Sequence, residues 1–159
     1  MSPPEHEAMV RKALTKFLRD ESARLIRMTW RLVGGNDALA KDVIQDACVR
    51  CIEEAHQLRD LDAFESWFYR ILVNSAHNRH RRFRAFKQAK ALFGQEPRTQ
   101  QLPTDLPDHG LQRRIRDALW SLKRSQREAF ILVRLERLSV RQSAAIMKIS
   151  EQAIRNHLH

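Results

Sequence analysis

The spacing of the apolar residues is the feature that most restricts the fold of this 159-residue chain. Apolar side chains recur every three or four positions from Val10 to about Leu32, from about Ala38 to Leu58, and again from about Ala63 onward. That period is typical of one buried face of an α-helix. The chain also holds only four glycines and five prolines, which disfavours turn-rich β structure. The pattern predicts an all-α fold.

Two interruptions divide the predicted helices. The first is Gly34 to Asp37, where Asn36 or Asp37 is able to cap the second helix. The second is Gly94 to Gly110, which holds three prolines among polar residues and predicts a flexible linker. Shorter helices are predicted beyond it, at about residues 111–122, 125–137, 140–147 and 151–159. We therefore expect two small helical domains, residues 8–93 and 111–159, joined by a linker at 94–110.

The net charge indicates the kind of partner. Twenty-nine Lys and Arg residues against nineteen Asp and Glu residues give a formal charge of +10. A field of that sign attracts polyanions, either nucleic acid or an acidic membrane surface, although many basic proteins bind neither. No apolar run approaches the roughly 18 residues that a membrane span needs, and no signal peptide opens the chain. We expect a cytoplasmic protein without a membrane span.

The segment from Leu138 to His159 predicts a helix-turn-helix. Ser139, with Gln142 three residues later, matches a capping box at the start of one helix, and Ser150 is placed to cap the next. The outer face of the second helix then carries side chains suited to base edges in the major groove: Gln152, Arg155, Asn156 and His159. An ordinary helical hairpin with a solvated polar face is the alternative.

One position in this segment departs from the usual pattern. The turn residue that is often glycine is Lys148. A lysine adopts the left-handed conformation at a cost of about 1 kcal/mol. We therefore expect a turn that is slightly strained or differently built.

The third helix becomes strongly basic, with no acidic residue between Ser66 and Gln95. Residues spaced by three and four form one stripe along it, beside the apolar face: Arg70, Asn74, His77, Arg81 and Arg84. Tyr69 is predicted to lie off the core face, next to this basic stripe. A cationic stripe with an aromatic neighbour suits single-stranded DNA, through phosphate contacts and base stacking. The alternative, of equal weight, is a solvated charged face with Tyr69 packed under another helix.

The second helix carries an acidic face, formed by Asp42, Gln45, Asp46 and Glu53. On a basic protein such a face repels DNA and suits a protein partner, although a solvated face is the simpler explanation. Carboxylates four residues apart are also able to bind a metal or exchange protons, but no His or third carboxylate stands at matching spacing. Cys48 and Cys51 lie on the apolar stripe of this helix, where cysteine acts as a small buried hydrophobe. We expect no metal ion, no cofactor and no catalytic residue.

These segments together resemble a known family. One part resembles region 2 of the bacterial extracytoplasmic-function (ECF) sigma factors, through Asp42–Ile52 (DVIQDACVRCI), Phe64–Asn74 (FESWFYRILVN) and Arg79–Arg82 (RHRR). The other resembles region 4 of the same family, through Ala118–Ser139 and the helix-turn-helix that follows. Both stand in the family's order and cover most of the chain. The resemblance implies a factor that binds core RNA polymerase and directs it to the −10 and −35 promoter elements, and that is not an enzyme.

The resemblance also implies roles for individual residues. Those that would bind the polymerase clamp are Asp42, Gln45, Asp46 and Glu53. Those that would capture a flipped base of the −10 element are Leu58, Arg59, Asp60, Leu61 and Asp62. The helix from Trp67 to Arg82, with Tyr69 and the basic stripe, would handle the melted −10 strand. Those that would read the −35 element are Arg141, Gln152, Arg155, Asn156 and His159.

Further partners and some departures complete the resemblance. The family implies contacts with the polymerase flap and, commonly, with an anti-sigma factor. Cys48 and Cys51 stand where the family usually has an aromatic residue and an alanine. The chain stops at His159, where the family usually continues for another turn or more, so we expect weakened −35 binding. The alternatives are a sigma-like mimic that sequesters an anti-sigma factor, and a stand-alone helix-turn-helix repressor.

Overall fold

The structure is a computed structural model that describes residues 2–94 and 109–159. Across these two ranges the regular elements are helices and none is a β-strand, which confirms the all-α prediction. No helix within them is both long and apolar enough to cross a membrane. Most of the predicted linker, residues 95–108, lies outside the described residues. The α-helices are α1 (Pro3–Leu32), α2 (Asp37–Glu53), α3 (Phe64–Leu92), α4 (His109–Ser121), α5 (Arg124–Phe130), α6 (Val140–Met147) and α7 (Glu151–His157).

Helices α1, α2 and α3 pack against one another as the first domain. Helix α2 begins at the predicted cap, where the Asn36 side chain accepts a hydrogen bond of 2.9 Å from the Leu39 backbone N–H. In the core, the Phe17 ring packs edge-on against the rings of Phe64 and Phe68, with centroids 5.8 and 5.5 Å apart. Edge-to-face contacts of this kind add to the stabilisation from apolar burial. The long α3 is thereby fixed against α1.

The end of α2 differs from the prediction. The helix ends at Glu53 rather than near Leu58, and a single 3-10 turn, Ala55–Gln57, follows it. The Ala55 carbonyl accepts from the Leu58 N–H at 3.1 Å and also faces the His6 ring nitrogen at 3.1 Å. A tertiary contact with α1 therefore holds the tighter turn, which local sequence pattern does not reveal.

Helices α4 to α7 form the second domain, in which α6 and α7 make the predicted helix-turn-helix. Ser139 accepts from the Gln142 N–H at 3.0 Å and Ser150 accepts from the Ala153 N–H at 3.1 Å, so both predicted caps are confirmed. Lys148 lies between the helices at φ 54° and ψ 44°, the left-handed conformation expected at this turn. The local chemistry of caps and turn thus defines the motif.

The predicted helix over residues 125–137 is interrupted. Helix α5 ends at Phe130, and a π-helical turn, Ile131–Leu135, continues it. Arg137 then adopts a left-handed conformation at φ 57°, and the Leu138 N–H reaches back to the Leu132 carbonyl at 3.0 Å. This widened turn places Glu136 and Leu138 in buried positions.

The second domain packs onto the first, a contact that the sequence pattern does not predict. Helix α6 contacts α3, and one apolar core runs through both domains. The second domain contributes four buried side chains to it: Ile131, Leu132, Leu138 and Ile146. Its separate core has three buried members, Ala129, Ala144 and Ile154. The second domain therefore depends on the first for much of its apolar burial.

Candidate nucleic-acid and protein interfaces

The acidic face of α2 is accessible. Asp42, Gln45 and Glu53 are exposed, while Asp46 is half-buried. The Asp46 carboxylate accepts two hydrogen bonds from Arg79 of α3, at 2.7 Å from Nε and 2.9 Å from Nη2. This bidentate contact raises the pKa of Arg79 and holds Asp46 in one orientation. The acidic face is therefore anchored to α3 at one point and open elsewhere.

The loop before α3 is mostly exposed. Arg59, Asp60 and Asp62 lie at the surface, and the Asp60 carboxylate accepts from the Asp62 N–H at 2.9 Å. Leu61 is half-buried at the start of a 3-10 turn. Leu58 is only 3% exposed and belongs to the core of the first domain. In this arrangement Leu58 supports the loop from beneath and has no surface to offer a ligand.

The basic stripe of α3 lies along one helix but is not uniformly open. Asn74, Arg81 and Arg84 are exposed, and Arg70 is half-buried. His77 is also half-buried, and its Nε2 lies 2.6 Å from Nη1 of Arg124 in α5. Because the guanidinium donates, His77 accepts through a deprotonated nitrogen; burial and Arg124 both lower the pKa of His77. The second domain thus covers the middle of the stripe.

The prediction that Tyr69 lies off the core face is wrong. Its side chain is 1% exposed, and its ring packs against Phe17 with centroids 5.7 Å apart. The Arg24 guanidinium carbon lies 5.7 Å from the Tyr69 ring centroid. Burial raises the pKa of Tyr69 to about 12. The helical spacing identified one buried face of α3, but α1 packs on a further face of that helix, and Tyr69 lies there against Phe17 and Arg24.

The helix-turn-helix presents all five candidate contacts of the second domain. The exposed residues are Arg141, Gln152, Arg155, Asn156 and His159. Within this face Gln152 donates to the Asn156 side-chain oxygen at 3.0 Å, and Arg155 pairs with Glu151 at 3.0 Å. These contacts hold the side chains in place on the surface. Glu151, which the sequence analysis did not single out, adds a negative charge to the same face.

A buried ion pair joins the two domains. The Glu136 side chain is 4% exposed and lies between two arginines of α1. Its carboxylate accepts from Arg24 Nε at 3.1 Å and from Arg31 Nη1 at 3.0 Å. Arg24 also donates to the Glu136 backbone carbonyl at 2.6 Å. No sequence signal identified this contact, because its partners stand more than 100 positions apart.

An aromatic contact forms a second junction between the domains. The ring of His80 in α3 lies 4.5 Å from that of Trp120 in α4, measured between centroids. Arg127 also lies over the indole, with its guanidinium carbon 3.8 Å from the ring centroid. Gly34, at φ +75°, also meets Trp120, since a Cβ there would lie 2.8 Å from the indole. Only glycine allows this close approach.

The two cysteines lie in the apolar part of α2, as predicted. Cys51 is fully buried and Cys48 is half-buried. Burial raises the pKa of both thiols, that of Cys51 to about 12. The thiols are therefore protonated core groups and weak nucleophiles. Among the residues that the structure describes, no cluster of His, Cys, Asp and Glu side chains could hold a metal ion.

Comparison with known families decides the identity. The family model for Sigma-70 region 2 matches residues 6–86, and the model for Sigma-70, region 4 matches residues 112–159. The first match falls on α1–α3 and the second on α4–α7. The chain belongs to the sigma-70 family. It is accordingly a promoter-recognition and transcription-initiation factor, and the family consists of DNA-binding regulators rather than enzymes.

Sequence similarity to a named protein indicates which group of sigma-70 factors this chain resembles. The ECF RNA polymerase sigma factor SigM of Mycobacterium tuberculosis is 28% identical over 153 residues, which cover 95% of this chain and 74% of that protein. The strains Erdman and H37Rv give the same figures. The predicted resemblance to the ECF sigma factors is thus confirmed.

Solved structures share the fold. CnrH, in complex with the cytosolic domain of CnrY, matches with a TM-score of 0.67 and 20% identity, covering 96% of this chain and 87% of that chain. The sigma factor RpoE of Bartonella quintana, in complex with the anti-sigma factor NepR, matches with a TM-score of 0.72 and 21% identity. That match covers 92% of this chain and 90% of the other.

Proposed function

We propose that three surfaces of this sigma factor divide the work of initiation. The acidic face of α2 binds the polymerase clamp, the loop before α3 and the basic stripe bind the −10 element, and the outer face of α7 with Arg141 reads the −35 element. The proposal rests chiefly on the exposure of all five −35 candidates around a helix-turn-helix with both caps in place. The chain has no catalytic step of its own and acts in the bacterial cytoplasm, where polymerase works.

Polymerase binding is assigned to Asp42, Gln45, Asp46 and Glu53. The exposed members are accessible to a basic surface of a protein partner. Such a surface would attract the negative charge of this face, which repels DNA. Asp46 is held by Arg79, so its carboxylate is already oriented before the partner arrives. Preorganisation of this kind lowers the entropy cost of binding.

The −10 contacts are a subset of the residues predicted from sequence. In this conformation the exposed ones are Arg59, Asp60, Asp62, Asn74, Arg81 and Arg84, and Leu61 and Arg70 are half-buried. Leu58 and Tyr69 support the site from the core. His77 becomes available only when α5 leaves α3, because Arg124 covers it. We propose that full engagement of the −10 strand requires region 4 to separate from region 2.

The division into domains and the inhibitory partner are also proposed. The units are region 2 at residues 8–93, a linker at 94–110 and region 4 at 111–159. An anti-sigma factor is the expected inhibitor, since the Bartonella neighbour was solved in complex with one. Such a partner would compete with polymerase for region 2 and region 4. The flap of polymerase is the expected contact of region 4.

The assignment of the acidic face is tested with a charge swap. Asp46→Arg should abolish capture of core polymerase in a pull-down, whereas Asp20→Arg, an exposed reversal on α1, should leave it unchanged. Because Asp46→Arg also breaks a bidentate pair, the double variant Asp46→Arg/Arg79→Asp restores an ion pair between the same positions. We expect the double variant to recover thermal stability but not polymerase binding. Normal polymerase capture by either Asp46 variant would refute the assignment.

The promoter function is tested by transcription in vitro. Core polymerase with this sigma factor should initiate from a subset of a genomic promoter library, and those promoters define the −10 and −35 preference together. Arg155→Ala should relax selection at the −35 element by about 1 to 3 kcal/mol per contacted base pair, with the −10 preference retained. Specific binding of duplex operators without polymerase would favour the repressor instead.

A further inference from the structure

A cavity of about 340 Å³ lies between region 2 and region 4. One wall is α3, and the other is α5. The polar side chains that line it are His77, His80, Arg81, Arg84, Gln88, Arg124, Arg127 and Glu128. Leu32, Ala76 and Ala85 contribute apolar surface. This volume falls within the range of small-ligand sites, about 300 to 1,000 Å³.

Among the residues that the structure describes, positive charges outnumber negative ones in this cavity. Four arginines and one glutamate line it, and the carboxylate of Glu128 lies 3.9 Å from Arg124. Within residues 2–94 and 109–159 neither Arg81 nor Arg84 forms an ion pair with a carboxylate. Burial raises the pKa of Glu128 and lowers the pKa of Arg127, with Arg84 and Arg124 adding to the latter effect. An anion in the cavity would relieve this repulsion.

The cations are held in place by the protein. Arg127 is 8% exposed, lies over the Trp120 ring and donates to the Leu122 carbonyl at 3.3 Å. Arg124 is fixed by its hydrogen bond to His77. Both ring nitrogens of His80 are buried without a hydrogen-bond partner within the described residues. These features distinguish the cavity from a solvated row of surface arginines.

We propose that this cavity binds an oligophosphate group, and that the bound anion fastens region 4 onto α3. Arginines recognise phosphate oxygens through paired N–H donors, and here the donors converge from two domains. A chain of phosphates carries the several negative charges that four arginines require. The source is either a free oligophosphate or the phosphate tail of a nucleotide, which share this chemistry.

The consequence for transcription rests on the proposed function. Arg81 and Arg84 are assigned there to the −10 strand, so an anion that occupies them competes with promoter DNA. The anion would also stabilise the packed arrangement that covers His77. Binding of the anion itself does not depend on the assignment of Arg81 and Arg84 to the −10 strand or on any role in transcription. It is measured without polymerase or promoter.

The test titrates the full chain with sodium tripolyphosphate by calorimetry at constant ionic strength. We expect one saturable site per chain. Arg84→Gln and Arg124→Gln should each weaken binding by about tenfold or more, since each removes a charge-assisted contact. Arg113→Gln and Arg114→Gln remove the same charge from exposed positions of α4 outside the cavity, and should change affinity less than about twofold.

Absence of saturable binding would overturn the proposal, and so would equal weakening by the cavity and control variants, which indicates attraction to net charge alone. A parallel titration with ATP identifies the source: equal affinity indicates recognition of the phosphates only, and tighter binding of ATP indicates that the nucleoside contributes. A chain that binds tripolyphosphate but fails in transcription would contradict the proposed function and not this site.

Discussion

Region 2 and region 4 are held together in different ways. Region 2 builds its core from three long helices, with fully buried side chains on each of them. The separate core of region 4 has three buried members, and four further buried residues belong to the core shared with region 2. A small domain with little burial of its own is marginally stable. The position and the stability of region 4 are therefore coupled, which is consistent with the proposed separation of region 4 from α3.

Core truncations should cause the largest losses of stability, and the loss should extend differently in the two regions. Phe68→Ala in region 2 should cost about 3 to 5 kcal/mol and lower the stability of the whole chain, because both regions pack on that core. Ile154→Ala in region 4 should cost about 2 to 5 kcal/mol, but only for α5, α6 and α7, which share that small core. Hydrogen exchange resolved by segment separates the two effects. Loss of protection throughout α1–α3 in Ile154→Ala would show instead that the small core around Ile154 also stabilises region 2.

Removing the ionic link between the regions should have the next largest effect. In Glu136→Gln the amide keeps the shape but loses the charge that Arg24 and Arg31 contact, so docking should weaken by about 2 kcal/mol. Faster hydrogen exchange in the α3 segment around Tyr69 and His77 would report the opening. The matched control is Glu65→Gln, an exposed neutralisation on α3. Unchanged exchange in Glu136→Gln would mean that apolar contacts alone hold region 4 in place.

Acidification should loosen the second junction between the regions, the contact of His80 with Trp120. Burial, with Arg127 and Arg84 nearby, lowers the pKa of His80 to about 4, from about 6.5 in the unfolded chain. Between these values the unfolded chain binds a proton that the folded chain does not, so stability is full above pH 6.5 and falls as the pH drops toward 4. After discounting for solvent screening, the loss is about 1 to 2 kcal/mol.

The control for this pH dependence is His80→Phe. Phenylalanine keeps a ring against Trp120, and the His80 nitrogens have no hydrogen-bond partner to lose among the described residues. Melting temperatures of the two proteins should therefore converge at pH 7 and separate at pH 4.5, with the variant the more stable. Parallel curves over that range would show that His80 does not carry the effect.

The comparison between regions also separates what sequence could predict from what it could not. The caps at Asn36, Ser139 and Ser150 and the turn at Lys148 depend on residues within four positions, so local chemistry was sufficient. The burial of Tyr69 against Phe17 and the charges around Glu136 depend on tertiary contacts between helices, which no periodicity encodes. The end of α2 was predicted wrongly for the same reason, since His6 of α1 helps to hold the turn at Ala55.

The exposure of the proposed site residues is likewise predictable where one helix determines it and not where tertiary contacts do. Surface positions on α7 were predicted correctly because one helix with a known core face determines them. On α3 the prediction was only partly correct, because α6 and α5 cover a second face of that helix. Sequence therefore predicted which residue types are suited to contact a partner, and tertiary packing determined which of them are accessible.

The smallest predicted effect concerns the turn inside region 4. Lys148 adopts φ 54° and ψ 44°, where a side chain costs about 1 kcal/mol relative to glycine. Lys148→Gly should therefore stabilise α6 and α7 by up to about 1 kcal/mol, with the gain reduced by the greater freedom of glycine in the unfolded chain. The matched control is Ala145→Gly, three residues earlier at an exposed position inside α6, which should destabilise by about 0.5 to 1 kcal/mol. The free energy of unfolding is measured by chemical denaturation, monitored through hydrogen exchange in α7. Changes of opposite sign in the two variants would show that the turn conformation, and not the loss of a side chain, sets the effect. Changes of equal sign would contradict strain at Lys148.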